Sequence, residues 1–169
     1  MTIILEEGYQ TNLGTLLLPL RQQVENLNWL VTELQCLSLG DWPPLIDTWQ
    51  SESYNSVPYY SVVPGKIVYE TFAGREIQVV WGIFCGVAGN VPTIPLEEVP
   101  YADGNRQIWT EPEAFQLASS EIEIVAFDST FTLVKFRDER LGRQSLEAFP
   151  DGRIVQNPDD MLKSCQQQQ

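Results

Sequence analysis

The chain contains no histidine. That absence removes Ser-His-Asp triads, Cys-His pairs, histidine general bases and HExxH metal sites, because each needs an imidazole as base or ligand. Basic side chains are scarce as well: 10 Lys and Arg stand against 23 Asp and Glu, giving a formal charge of -13. Nucleic acid and anionic lipid both repel such a chain as a whole, so neither is an expected partner, whereas a basic protein is attracted. Cysteine is limited to Cys36, Cys85 and Cys165, an odd number at wide spacing with no CxxC pair. Zinc or redox motifs are therefore not expected, and a reducing, cytoplasmic setting fits. Long apolar runs are missing. The run 79–89 is broken by three glycines and falls short of the about 20 residues that cross a bilayer. With Glu6 and Glu7 early and only 16–18 as a leucine run, the N-terminal region does not resemble a signal peptide.

What is present is enough for one core. A domain of 169 residues with 43% hydrophobic side chains buries about 70% of the surface of its unfolded chain without metal or disulfide support. Residues 2–5 are β-prone. Leu13, Leu16, Leu17, Leu20, Val24 and Leu27 then follow the i, i+3, i+4, i+7 rule of an amphipathic helix. Pro19 argues for a start near Thr15, since proline is tolerated in a first turn and not in a helix interior. Residues 27–39 fit helix and buried-strand patterns alike; the strand is favoured because Asn26 and Asn28 resemble a helix exit.

Between Gly40 and Gly65 lie several prolines and five large aromatics, Trp42, Trp49, Tyr54, Tyr59 and Tyr60. This composition predicts a long ordered loop. Residues 66–72 and 75–87 read as a hairpin about Ala73 and Gly74, followed by a Pro-punctuated connection ending in the turn Asp103-Gly104-Asn105. Thr110, Glu111, Pro112 and Glu113 predict a helix start and a short helix to about Ser119. Two alternating runs, 121–127 and 131–137, flank the polar turn Asp128-Ser129-Thr130 and form the clearest hairpin signal. Ile122, Ile124 and Ala126 share one face of the first strand, and Glu123, Val125 and Phe127 the other. A last helix is expected over 138–148, and the tail 156–169 is expected to fray. The expected architecture is a single α+β domain over residues 1–155, with a mostly antiparallel sheet of about five or six strands packing one face on two or three helices.

Three features are candidate sites. Half of the basic residues fall within 135–153, and on a helix Arg140 and Arg143 share a face that could receive a carboxylate or phosphate. The bland reading pairs them with neighbouring acids. Trp42, Trp49, Tyr54, Tyr59 and Tyr60 supply contact area for a binding surface, or simply cover the sheet. The acid pairs Glu97-Glu98, Glu111 with Glu113 and Glu121 with Glu123 suggest hydrolytic carboxylates, although alternating acids in a strand fit a solvated edge better. Cys36 and Cys85 sit in apolar runs as packing thiols, and Gly82, Gly86 and Gly89 match no phosphate-binding loop. No catalytic residue, metal or cofactor is assigned. The sequence points to a noncatalytic protein-binding module of immunity, inhibitor or adaptor type that takes a basic protein partner. The alternative is a small-molecule binder or carboxylate-based hydrolase using the aromatic loop and an arginine anchor, and self-association through the hairpin faces is a third reading.

Overall fold

The alternating apolar residues become strands of a single sheet. The computed structural model describes residues 1–6, 11–38, 51–54 and 57–161, with the main chain alone at 38, 51–54 and 57–59. Among the described residues the strands are β1 (Thr2–Leu5), β2 (Asn28–Ser38), β3 (Ser51–Tyr54), β4 (Val57–Pro64), β5 (Ile77–Val87), β6 (Ser120–Phe127), β7 (Phe131–Phe136) and β8 (Arg153–Val155). They lie in the order β3-β4-β2-β5-β6-β7-β1-β8, every neighbour antiparallel. The α+β class holds, with eight strands rather than five or six.

Helices cross one face. α1 (Leu13–Leu17), a 3-10 turn over Leu18–Leu20 and α2 (Arg21–Glu25) form one helical run between β1 and β2. Asn12 caps it by accepting from the Thr15 N–H at 3.4 Å, so the run begins earlier than Pro19 suggests. The tighter 3-10 turn accommodates the proline at its own start. α3 (Gly65–Phe72) joins β4 to β5, and α5 (Glu139–Ala148), capped by Asp138, joins β7 to β8; the intervening α4 (Gln107–Thr110) lies in the β5–β6 connection. Leu13, Leu17, Val24, Val68, Phe72 and Phe149 from the helical side meet Ile3, Trp29, Phe84, Ile124 and Val134 of the sheet in one buried cluster. The Trp29 indole N–H donates to the Val24 carbonyl at 3.0 Å, tying the end of α2 to the sheet.

The opposite face is covered by a connection with little regular structure. Residues 88–119 drop Ala102, Ile108 and Leu117 onto Leu30, Ile83, Cys85, Val125 and Leu133. Thus both faces are buried, and β7 is buried at all six positions.

Four expectations are corrected. Residues 66–72 form α3 and not a strand, so no hairpin precedes β5; the buried residues Val68, Thr71 and Phe72 have helical spacing. Part of the expected loop over 40–65 is sheet, since β3 and β4 lie within it. The helix expected over 110–119 is absent: Thr110 ends α4, and Glu111 leaves helical geometry at φ -137°. The tail does not fray at once, for Met161 is fully buried and the Gln156 N–H donates to the Asp160 carboxylate at 3.0 Å; residues 162–169 lie outside the described part.

Gly65 marks the tightest approach between helical layer and sheet exit. Its N–H donates to the Leu27 carbonyl at 2.9 Å, and a Cβ there would collide with the main-chain oxygens of Val24 and Leu27. Main chain yields less readily than a flexible side chain. Gly65→Ala should therefore cost about 3 kcal/mol or more in urea unfolding. Gly104→Ala, at φ 73° in open space, should cost only the left-handed strain of about 1–2 kcal/mol.

Candidate functional site

The turn between β6 and β7 sets what happens on the covered face. Asp128 and Ser129 adopt left-handed φ of 47° and 56°, and the chain reverses so that Phe127 faces Phe131 and Glu123 faces Lys135. Both charged side chains point away from the helices and are 0% and 1% exposed. Glu123 Oε1 lies 2.8 Å from Lys135 Nζ, a direct charge contact. Proximity of opposite charge holds this pair, and each partner also reaches main-chain groups of the cover. Glu123 Oε2 accepts from the main-chain N–H groups of Gln116 and Leu117 at 2.8 and 3.3 Å, and Lys135 Nζ donates to the Ala114 carbonyl.

The same principle recurs along the connection. The Thr2 hydroxyl donates to the Pro112 carbonyl at 3.4 Å, and Arg137 donates to the carbonyls of Ala118 and Ser120 at 2.7 and 2.8 Å. On β2 a bulge places Glu33 at φ 50°, and its carboxylate accepts from the N–H groups of Ala102 and Asp103. A segment that forms no long helix thus finds partners for its main chain on sheet side chains.

Cys85 is the cross-strand neighbour of Glu123, and its thiol donates to Glu123 Oε2 at 3.8 Å. Burial, then the adjacent carboxylate charge, pushes this thiol well above its ordinary range. Burial alone pushes Cys36 up to about 12. Neither is a thiolate near neutral pH, and neither has the electropositive setting of a nucleophile. Among the described residues no group of three or more Cys, Asp and Glu side chains is placed to hold a metal ion.

Near the turn, Trp81, Trp109, Phe127 and Phe131 pack together. Phe127 and Phe131 stack at 4.9 Å and 8°, and both tryptophans meet Phe127 edge-on at 4.7 and 5.2 Å. Trp81, Trp109 and Phe127 are half-buried. These rings use the offset and edge geometries that aromatic cores favour.

The residues singled out from the sequence do not converge. Trp42 and Trp49 lie outside the described residues; Tyr54 and Tyr59 fall on β3 and β4, where only the main chain is described. Tyr60 is half-buried on β4, opposite Thr32, and packs into the cluster under the 88–119 connection. Arg140 and Arg143 lie on α5, on the other face. Arg140 is 88% exposed and grips Asp138 at 2.8 Å; Arg143 pairs with Glu139 across one helical turn at 3.7 Å. Hydrogen bonds from Arg140 hold the Asp138 carboxyl below its ordinary range. The acids divide as well: Glu97, Glu98, Glu111, Glu113 and Glu121 are exposed, and Glu123 is buried, which overturns its reading as part of a solvated edge.

No protein-family model matches this chain, and no curated protein or solved structure matches it. Among the described residues no helix is long and apolar enough to cross a membrane.

Two tests follow from the charges. The double variant Glu123→Leu, Lys135→Met should lose less stability in urea unfolding than the summed losses of the two single variants, with a coupling of about 1–3 kcal/mol, since each single change strands a buried charge. Asp138 contributes stability above the ordinary aspartate range that is lost as pH falls through its depressed value. Asp138→Asn should therefore flatten the acid limb of a plot of unfolding midpoint against pH.

Proposed function

We propose that the chain is a noncatalytic binding module whose acidic surface takes a basic region of another protein. The observation that carries this reading is the outer surface of the 88–119 connection. It presents Glu97, Glu98, Asp103, Glu111 and Glu113 to solvent against Arg106 alone. Leu96 and Tyr101 stand exposed among them at 52% and 48%, so apolar contact accompanies the charge. α5 offers a contrast, because its exposed Glu139, Arg140, Arg143 and Glu147 balance. Exposed acids with apolar side chains near them in the chain accelerate encounter with a cationic protein and add contact area on docking. Immunity or inhibitor proteins are the concrete form of this activity.

The reading as a small-molecule binder or carboxylate-based hydrolase has less support. It required the 40–65 aromatics and the arginine pair to line one cleft, whereas Tyr60 and α5 pack on opposite faces. Each arginine is already engaged by a neighbouring acid.

The test compares capture from a lysate of the protein's own cells at low and high salt for three baits: the parent, Glu97→Lys/Glu98→Lys/Glu111→Lys, and a control with Glu139→Lys and Glu147→Lys on α5. A stoichiometric basic protein held by the parent and the control, released by salt and lost from the triple variant, is the expected result. Binding that ignores salt, or survives the triple variant, would sink the reading.

A further inference from the structure

The stretch 112–117 is attached to the sheet in an unusual way. Pro112 and Leu117 at its ends are buried, Ala114, Phe115 and Gln116 are half-buried, and Glu113 is exposed. Its hold on the sheet comes chiefly from polar groups: the Thr2 hydroxyl on the Pro112 carbonyl, Lys135 on the Ala114 carbonyl, and Glu123 on two successive N–H groups. The Arg137 guanidinium adds a cation contact over the Phe115 ring at 4.8 Å. Neighbouring loop residues hold Gln116 through its side chain, which accepts from the Tyr101 N–H at 3.1 Å and the Asn105 amide at 3.0 Å.

Polar attachments of this kind are exchangeable. When the stretch lifts, each lost hydrogen bond is replaced by water, and both buried ions regain the hydration that burial denied them. The helical face and the strand ladder lose nothing in that event. Of the stretch only Leu117 belongs to the buried apolar cluster beneath it, and local opening at low cost is the expected behaviour of elements held by few apolar contacts.

We propose that residues 112–117 form a strap latched by the buried Glu123–Lys135 pair, that the strap lifts while the rest of the fold stays intact, and that its lifting uncovers Cys85. The closed strap keeps a carboxylate, an ammonium and a thiol, side by side on β5, β6 and β7, away from water. The open strap presents all three together. This device stands whether or not the acidic surface binds a basic protein.

Cys85 itself is the reporter. In protein carrying Cys36→Ser and Cys165→Ser it is the single thiol, and its reaction with an aromatic disulfide reagent at pH 8 reads the opening. The proposal expects labelling in low urea with a urea dependence much weaker than that of global unfolding. Glu123→Gln, which keeps the shape and strands the Lys135 charge, should speed labelling roughly 10- to 100-fold. Val68→Ala, in the helical cluster, should lower the global unfolding midpoint and leave labelling in low urea unchanged. Amide exchange of Gln116 and Leu117 in the parent should likewise outpace that of Val125 and Leu133. If Cys85 reacts only with the full urea dependence of unfolding, or the Gln116 and Leu117 amides exchange together with the strand core, the strap does not open by itself and the proposal is overturned. These parent measurements decide the matter should Glu123→Gln fail to fold.

Discussion

The covering of the sheet's second face depends on one buried contact between Glu123 and Lys135. A sheet of this width needs both faces covered, and among the described residues the longer helices lie on only one of them. On the other side an irregular chain must lie against apolar strands with its own main-chain groups out of water, which is costly unless each finds a partner. The ion pair resolves that difficulty: the carboxylate serves two amide groups and the ammonium serves a carbonyl. Glu33 repeats the device at the Ala102-Asp103 turn, and the left-handed backbone of its bulge aims the side chain there. Burying such charges adds little net stability. Its effect is to fix one path for a connection that apolar contact alone would leave loosely specified.

The two sides of the sheet are therefore held by different physics. Interdigitated Leu, Val and Phe side chains hold the helices, and the fit is tight enough that Gly65 has no room for a methyl group. Side chains reaching from strand to main chain hold the irregular cover. Close packing of the first kind resists any small change in volume, whereas directional contacts of the second kind can be undone one group at a time.

Most of the fold could be read from periodicity. The α1–α2 run, the β6–β7 hairpin and α5 announce themselves through spacing, β2 is favoured over a helix only by Asn26 and Asn28, and Asn12 and Asp138 cap helices as their residue types suggest. The failures share a cause in tertiary partners. Val68, Thr71 and Phe72 satisfy a helix once α2 and the sheet lie beneath them, yet the same stretch alternates well enough for a strand. Thr110-Glu111-Pro112-Glu113 has good helix-start chemistry, but the main chain that follows is claimed by Thr2, Glu123, Lys135 and Arg137, residues near or far in sequence. The facing of Glu123 and Lys135 follows from the three-residue turn at 128–130 and was legible in principle, although the alternating acids read as a solvated edge. That they would be sealed from water was not, because the sealing segment was expected to be a helix. The arginine pair, by contrast, engages its local acids, as the charge pattern around 138–143 allows.

Because the sheet grips carbonyls and amides of the cover, it does not read most of the side chains displayed there. Glu113 contributes nothing to the clasp, and Glu97, Glu98 and Tyr101 lie outside the contacts made by Glu123 and Lys135. The outward letters of this segment are free to be rewritten while its path is conserved by the strands below. Such an arrangement separates the specification of shape from the composition of the surface, much as a frame carries interchangeable facings. A lineage built on it can change the face it shows to solvent without having to rediscover how to fold.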